Sequence, residues 1–346
     1  MEPEERPVSE RTWRETLYKL AAAPLLFCLR ILFRALNRER RQVLLRTPML
    51  SSAYGRLAGF ISSAMRTDQL TARVHGLTMY LDPQEEAGRN GAFLWGEFEP
   101  ATVAVFQRLL ARGDIIIDVG AHWGYYTLLA ATLCGDAGKV FAFEPHPKNY
   151  ALLTRNIEAN HLTNVQAFQR AVSDRSGEAV LFEAWFTGGH SLRALSGLAA
   201  ARGGASPELN IETVALDDFF GDSSIQPRLV KIDIEGAEPL ALSGMKCLIE
   251  RCPQLVLIME FNPEYLEGGG AGFLELLAAQ GFEFAIIDDE RRKLELGPIS
   301  LILTRALANT AVKNLLLTRE MKLVAPMLGY KGAPGELSGS LKVVDI

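Results

Sequence analysis

The stretch Asp114–Ala131, "DIIIDVGAHWGYYTLLAA", joins an apolar run rich in β-branched residues to a glycine turn and then to a helical pattern. A strand, a turn and a helix in that order form the opening unit of a parallel α/β sheet. Such turns hold nucleotide-like cofactors at the carboxyl edge of the strands. What occupies the turn limits the choice. A phosphate-binding loop needs Gly-x-x-x-x-Gly-Lys-Ser/Thr, but Gly120 and Gly124 are followed by Tyr125 and Tyr126. A dinucleotide turn needs Gly-x-Gly-x-x-Gly; counted from Gly120, His122 and Tyr125 stand where the second and third glycines belong. An imidazole at the second position blocks the approach of backbone to a pyrophosphate, and Asp118 repels the same anion. Both phosphate chemistries are disfavoured.

S-adenosyl-L-methionine reverses each objection, because it carries a sulfonium, an ammonium and a carboxylate but no phosphate. Asp118, at the end of the first strand, suits the cationic groups; the amides of Gly120, Ala121 and Gly124 and the following helix N-terminus suit the carboxylate. "FAFEP" then ends a second strand at Glu144–Pro145, where a carboxylate accepts from both ribose hydroxyls. In "AVSD", Val172 is placed to pack on adenine and Asp174 to accept from its amino group, unless Asp174 is a plain turn residue.

Beyond the turn, apolar runs alternate with helical stretches: "KVFAFEP", "VQAFQRAVSD", "LVKIDIEG", "QLVLIMEFNP", "FEFAIIDD" and "VKNLLLTRE" read as further strands. "GEAVLFEAW" and "LNIETVAL" read as an inserted hairpin with a glycine-rich loop, and "ARVHGLTMYLDP" as a short strand or hairpin before the sheet. The organisation expected is a basic amphipathic helical extension over residues 1–46, a pre-domain segment with short strands over 47–95, a catalytic α/β domain over 96–320 and a loosely held tail over 321–346.

The quoted motifs "IIIDVGAHWGYYTLLAA", "VFAFEPHPKNYALLTRNIEAN", "AVSD" and "LVKIDIEGAE", with "GEFEP" upstream and "LIMEFNP" downstream, resemble the FkbM-type branch of the class I S-adenosylmethionine-dependent methyltransferases. The similarity runs in order from about Gly96 to Glu320, departing at His122, where the family often has Asn. It implies a Rossmann-like, mostly parallel seven-stranded sheet whose last strand is antiparallel. It also implies methylation of a hydroxyl on a saccharide, glycolipid or secondary metabolite.

Methyl transfer to oxygen needs the acceptor held close and its proton removed. The candidates are Asp233 and Glu235 in "KIDIEGAE", with Asp233 also near the methionine end of the cofactor by resemblance, and Glu260 in "MEFNP". Glu238 fits a solvated first helical turn equally well, and Asn262 a capped strand end. In "GEFEP", Glu97 or Glu99 is placed to close over the cofactor's amino group, although a helix N-terminus calls for the same residues. His122, His146 and His190 are candidate bases, and no pair of them has the spacing of a helical zinc site, so no metal is expected.

The chain has 346 residues and a formal net charge of -5, which argues against nucleic-acid partners. Four cysteines form no Cys-x-x-Cys pair, as in a reducing cytoplasmic setting. Residues 1–46 hold ten Lys/Arg and six Asp/Glu, +4, which leaves -9 on the remainder. Arg30, Arg34 and Arg38 recur at helical spacing among apolar residues, a pattern for peripheral contact of residues 20–41 with an anionic inner membrane surface, or for covering an apolar patch on this chain or a second copy. The function classes weighed are an O-methyltransferase, a membrane-associated binding or scaffold protein on the same fold and, by fold analogy alone, a nicotinamide oxidoreductase.

Overall fold

The computed structural model describes residues 70–82, 85, 90, 92–93, 98–184, 188–193, 207–308, 313–333 and 340–346. The basic helix and membrane contact expected of the N-terminal segment, and Glu97, lie outside them. The chain divides into two units, Met1–Phe98 and Glu99–Ile346. In the first, β1 (Leu70–Val74) and β2 (Leu77–Leu81) form the antiparallel hairpin expected there. Its two-residue turn, His75–Gly76, has both residues at positive φ, as the twist of a tight hairpin demands.

The second unit is a sheet between helices. In chain order it contains α1 (Pro100–Leu109), β3 (Ile115–Val119), α2 (Tyr125–Cys134), β4 (Lys139–Phe143), α3 (Pro147–Ala159), β5 (Val165–Phe168), β6 (Ala171–Val172), β7 (Gly177–Phe182), β8 (Glu208–Val214) and α4 (Leu216–Phe220). It continues with β9 (Leu229–Ile232), α5 (Glu238–Ser243), α6 (Lys246–Arg251), β10 (Val256–Phe261), α7 (Ala271–Ala279), β11 (Glu283–Asp288), β12 (Lys293–Leu296), α8 (Ile299–Leu307), β13 (Lys313–Thr318), α9 (Met321–Met327) and β14 (Lys342–Asp345). The main sheet has the order β14-β12-β11-β13-β10-β9-β3-β4-β5. The five strands from β10 to β5 are mutually parallel, and β13 runs antiparallel between β10 and β11. This is the Rossmann-like α/β arrangement expected, with β13 as the reversed strand.

Three details differ from the sequence reading. Two more antiparallel strands, β12 and β14, extend the edge, so the sheet has nine strands. The tail expected after residue 320 thus holds α9 and an edge strand, β14, whose Leu341–Val344 region is only half covered. The run read as one third strand breaks after Phe168: β5 stays in the main sheet, while β6 pairs with β8 in a three-stranded sheet β6-β8-β7. The expected hairpin is the antiparallel pair β7–β8 of that sheet.

Period-two alternation divides the main sheet by chemistry. One face is apolar: Ile117, Val119, Phe141, Phe143, Val230, Ile232, Leu257, Met259, Phe261, Leu315 and Leu317 share a single buried cluster with α4–α8. Phe141, Phe143, Phe168, Phe219 and Phe220 meet there, mostly edge to face, at centroid separations such as 5.2 Å for Phe143–Phe219. The intervening residues point to the other face, and toward its carboxyl end these are polar.

Candidate active site

That polar face assembles from strand register. Asp118 on β3 lies opposite Lys231 on β9, and Lys231 lies opposite Ile258 on β10, so side chains at 118, 231, 233 and 260 project on one side. Asn314 on β13 lies opposite Glu260 and joins the same set. Over it pack α1 and α2. Lys231 is buried, 2% exposed, with its ammonium 2.7 Å from Asp233 Oδ2 and 4.8 Å from the centroid of the Tyr126 ring. The charges of Asp233, Glu99 and Asp118 outweigh its desolvation and hold its pKa above the ordinary lysine value. Lys231 is a residue that the sequence reading missed.

Glu99 starts α1 in the left-handed region, φ 40, and accepts a hydrogen bond from the Tyr126 hydroxyl. Burial pushes its carboxyl up to about 7 against the pull of Lys231. The α1 N-terminus itself is capped from afar: Asp289 accepts from the amides of Ala101 and Thr102 at 2.7 and 2.9 Å and from the Thr102 hydroxyl at 2.9 Å, while Asn314 donates to that hydroxyl at 3.1 Å.

The glycine turn is held from two sides. Gly120 has φ 80, and a Cβ there would fall 1.9 Å from the carbonyl oxygen of Asp233, so backbone of β3 and β9 meet at a distance that only glycine permits. Asp118 accepts from the Thr127 hydroxyl through Oδ2 at 2.6 Å, whereas its Oδ1 is buried with no hydrogen-bond partner among the described residues. Burial raises its pKa, and Lys231 opposes that rise. His122 is left-handed (φ 52) and stacks on Trp123; its amide donates to Glu144 Oε2 at 2.9 Å. Trp123 is fully buried and fastened by α3, donating to Asn149 at 3.1 Å, while Asn156 donates to its carbonyl at 2.8 Å. Glu144 also accepts from the amide of His146 at 2.9 Å; burial raises its carboxyl to about 7, partly offset by these donors.

Asp233, Glu235 and Glu260 come together as a group. One carboxylate oxygen from each lies within 4.8 Å of the others, a spacing at which a cation can be shared or one carboxylate must hold a proton. Glu260 is held well above the usual carboxylate range by burial and by the charges of Asp233, Glu235 and Glu238, and its Oε2 is buried with no hydrogen-bond partner among the described residues.

Other candidates resolve differently. Glu238, read as fitting a solvated helical turn, is 3% exposed; its Oε1 accepts from the amides of Ile234 and Gly236 at 3.3 and 3.2 Å, and burial raises it to about 7. Asn262 caps a short 3-10 turn by accepting from the amide of Glu264 at 3.1 Å, the strand-end role. Asp174 is exposed and accepts from the Ser173 hydroxyl, as a turn residue does. Val172 belongs to the apolar cluster behind the sheet. Pro145 is half-buried beside Glu144. His146 and His190 stack on each other at 4.2 Å; His146 Nε2 lies 2.7 Å from Glu183 Oε1, and His190 Nδ1 accepts from the amide of Ala184. The two imidazoles brace the β7–β8 segment. Among the described residues no helix is long and apolar enough to cross a membrane.

The chain is 29% identical over 133 residues to the hexuronic acid methyltransferase AglP of Haloferax volcanii, covering 38% of this chain and 50% of that protein. It is 28% identical over 161 residues to the 31-O-demethyl-FK506 methyltransferase FkbM of Streptomyces tacrolimicus, covering 40% and 61%. The matched segments thus span half to three-fifths of these relatives. Among solved structures, the methyltransferase FkbM of Methylobacillus flagellatus KT aligns with a TM-score of 0.38 and 12% identity over 68% of this chain and 54% of that one. The model of the methyltransferase FkbM domain matches residues 118–292, from Asp118 near the end of β3 to the turn before β12 and just over half of the chain. With the glycine turn and the acidic ends of β4, β9 and β10 all inside that span, this chain belongs to the methyltransferase FkbM family.

Proposed function

We propose that this chain is an S-adenosylmethionine-dependent O-methyltransferase acting on a hydroxyl of a saccharide, glycolipid or secondary metabolite. The observation that carries the reading is the buried Oδ1 of Asp118, an acceptor without a hydrogen-bond partner beside a turn shaped by Gly120. A buried carboxylate oxygen left unpaired is costly, and the ammonium of a sulfonium amino acid supplies the donor that it lacks. The amides of Ala121 and Gly124, expected to receive the carboxylate, instead donate within the chain, to the carbonyls of Phe143 at 2.9 Å and Ala121 at 2.8 Å. Side chains would suit the rest of that molecule: Glu144 would meet the ribose hydroxyls, and Asp118, Glu99 and Asp233 would face the cationic groups. A phosphate-bearing cofactor would face those three carboxylates instead.

When bound, S-adenosylmethionine supplies an electrophilic methyl group. The chain's own task is to bind the acceptor hydroxyl and take its proton. Asp233 is held in place by Lys231 at 2.7 Å and orients the site. Glu260, whose carboxyl is held well above the usual range by burial and neighbouring carboxylates, is a strong base for that proton once it is ionised, so the step requires a pH at which Glu260 has released its own. Glu235 stands across from it and orients the hydroxyl. The relatives named as a hexuronic acid methyltransferase and as a 31-O-demethyl-FK506 methyltransferase support an oxygen acceptor.

Calorimetric titration with S-adenosylmethionine, S-adenosylhomocysteine and NAD tests the cofactor, and binding of NAD alone would sink the proposal. Comparing surface glycans, glycolipids and metabolites of a deletion strain with its parent for the loss of one methyl group identifies the acceptor. An active Glu260→Gln enzyme would remove Glu260 from the mechanism.

A further inference from the structure

The left-handed backbone of Glu235, φ 55, is unfavourable for a residue with a Cβ, and Gly236 follows at φ 91 with Tyr265 packed 2.8 Å from where its Cβ would be. The turn carrying Glu235 is therefore held by its surroundings. From inside, Glu238 accepts the amides of Ile234 and Gly236. From outside, the β7–β8 segment supplies the donors. Ser191 Oγ donates to the carbonyl of Glu235 at 2.7 Å, and Arg193 Nη1 reaches the carbonyl of Gly236 at 3.5 Å. Ser191 is 2% exposed and is fixed by a two-way backbone pairing with Phe182, at 2.8 and 3.1 Å. The next residue, Glu183, grips His146, whose amide bonds the cofactor-side carboxylate Glu144. One short segment thus touches both ends of the site.

We propose that Ser191 is a positioning residue for the acceptor side: its hydroxyl holds the Glu235 turn left-handed and so keeps the Glu235 carboxylate in the group with Asp233 and Glu260. This rests on the reading of that group as the reacting end of the site. The hydroxyl acts through backbone and touches no reactant. Without it the Glu235 carbonyl loses its side-chain donor, the turn relaxes toward an unstrained conformation, and the carboxylate swings out of the group.

The test follows Glu260 by carbon NMR in full-length protein carrying [δ-13C]glutamate, with Glu260→Gln for assignment. The groups facing Glu260 are the carboxylates of Asp233, Glu235 and Glu238, the Lys231 ammonium and the Tyr265 hydroxyl. In the parent, Glu260 titrates above the usual range. In Ser191→Ala its titration moves down as Glu235 leaves, and the amides of Ile234 and Gly236 exchange roughly fivefold faster. Ser191→Thr, which keeps the donor, restores both. Glu144, at the other end of the site, does not move. Should Ser191→Ala fail to fold, Ser191→Cys keeps the volume with a far weaker donor and is read in the same way. An unchanged Glu260 titration in the alanine or cysteine variant overturns the proposal, as does a parent Glu260 in the ordinary range. Calorimetry with S-adenosylmethionine on the parent separates the two questions. A parent that binds no cofactor defeats the proposed function, while the titration judges Ser191 by itself.

Discussion

Replacing Lys231 by Met keeps an unbranched side chain of similar length and deletes one charge. Lys231 is 2% exposed and sits among Asp233 at 2.7 Å, Glu99 and Asp118. Breaking a buried ion pair by removing one partner costs about 3–5 kcal/mol, because the other charge is left in a poor solvent. Asp233 keeps 29% of its side chain in water, which places the loss near the lower end, about 3 kcal/mol at pH 8. The sign of the pH dependence follows. In the variant, Asp118 and Glu99 lose the cation that opposes their upward shift, so the folded state binds protons that the unfolded state has already released. Stability then falls as pH rises from the ordinary carboxylate range through the raised folded values. Lys231→Met should therefore be less damaging at pH 5 than at pH 8. Urea unfolding measures this directly. With a slope of about 3 kcal/mol per molar, the midpoint drops by roughly 1 M at pH 8 and by clearly less at pH 5. A drop equal at both pH values, or a loss below about 1 kcal/mol at pH 8, would refute the view that Lys231 neutralises buried carboxylates.

Two further outcomes are expected. Glu238 is raised by burial from 4.5 to about 7, so its protonated form contributes stability that is full below the ordinary glutamate range and lost as pH rises through 7, up to about 3 kcal/mol. Glu238→Gln keeps the acceptor oxygen for Ile234 and Gly236, so its urea midpoint gains on the parent's between pH 5 and 8; parallel curves would count against a raised Glu238. For the N-terminal segment, deletion of residues 1–46 should abolish sedimentation with anionic liposomes while cofactor affinity stays within about twofold, given the +4 charge of that segment. Equal sedimentation of the shortened chain would place any membrane contact elsewhere.

The parts of the site legible in the sequence are those written at strand ends. Asp118, Gly120, Glu144 and Asp233 each close a β-rich run, and the edge of a parallel sheet is where such residues converge. Lys231 was hidden because "LVKIDI" reads as an apolar strand with one stray charge, and only the neighbouring strand shows that its alternate positions face Asp118. The cap of α1 could not be read at all: Asp289 lies 188 residues from Ala101, and no local pattern links them. Ser191 falls in a glycine-containing loop, where sequence gives no sign of which backbone a hydroxyl will meet. The edge strands β12 and β14 were missed for a different reason. Four residues each, with only two apolar residues apiece, carry too little periodicity to stand out before a partner strand satisfies their backbone.

The alternating faces of the main sheet have a consequence for how this protein tolerates change. Neighbours along β9 live in two solvents separated by the thickness of a single pleat: Val230 and Ile232 in a hydrocarbon-like layer, Lys231 and the following Asp233 in a shell of fixed charge. Substitutions at the first pair alter cohesion by the same amount in any buffer. Those at the second alter the electric field at the carboxyl edge, and their effects are set by proton concentration. Walking one residue along the strand thus switches the currency of a mutation from volume to charge, and drift in acceptor chemistry can proceed on one side while the packing on the other is left alone.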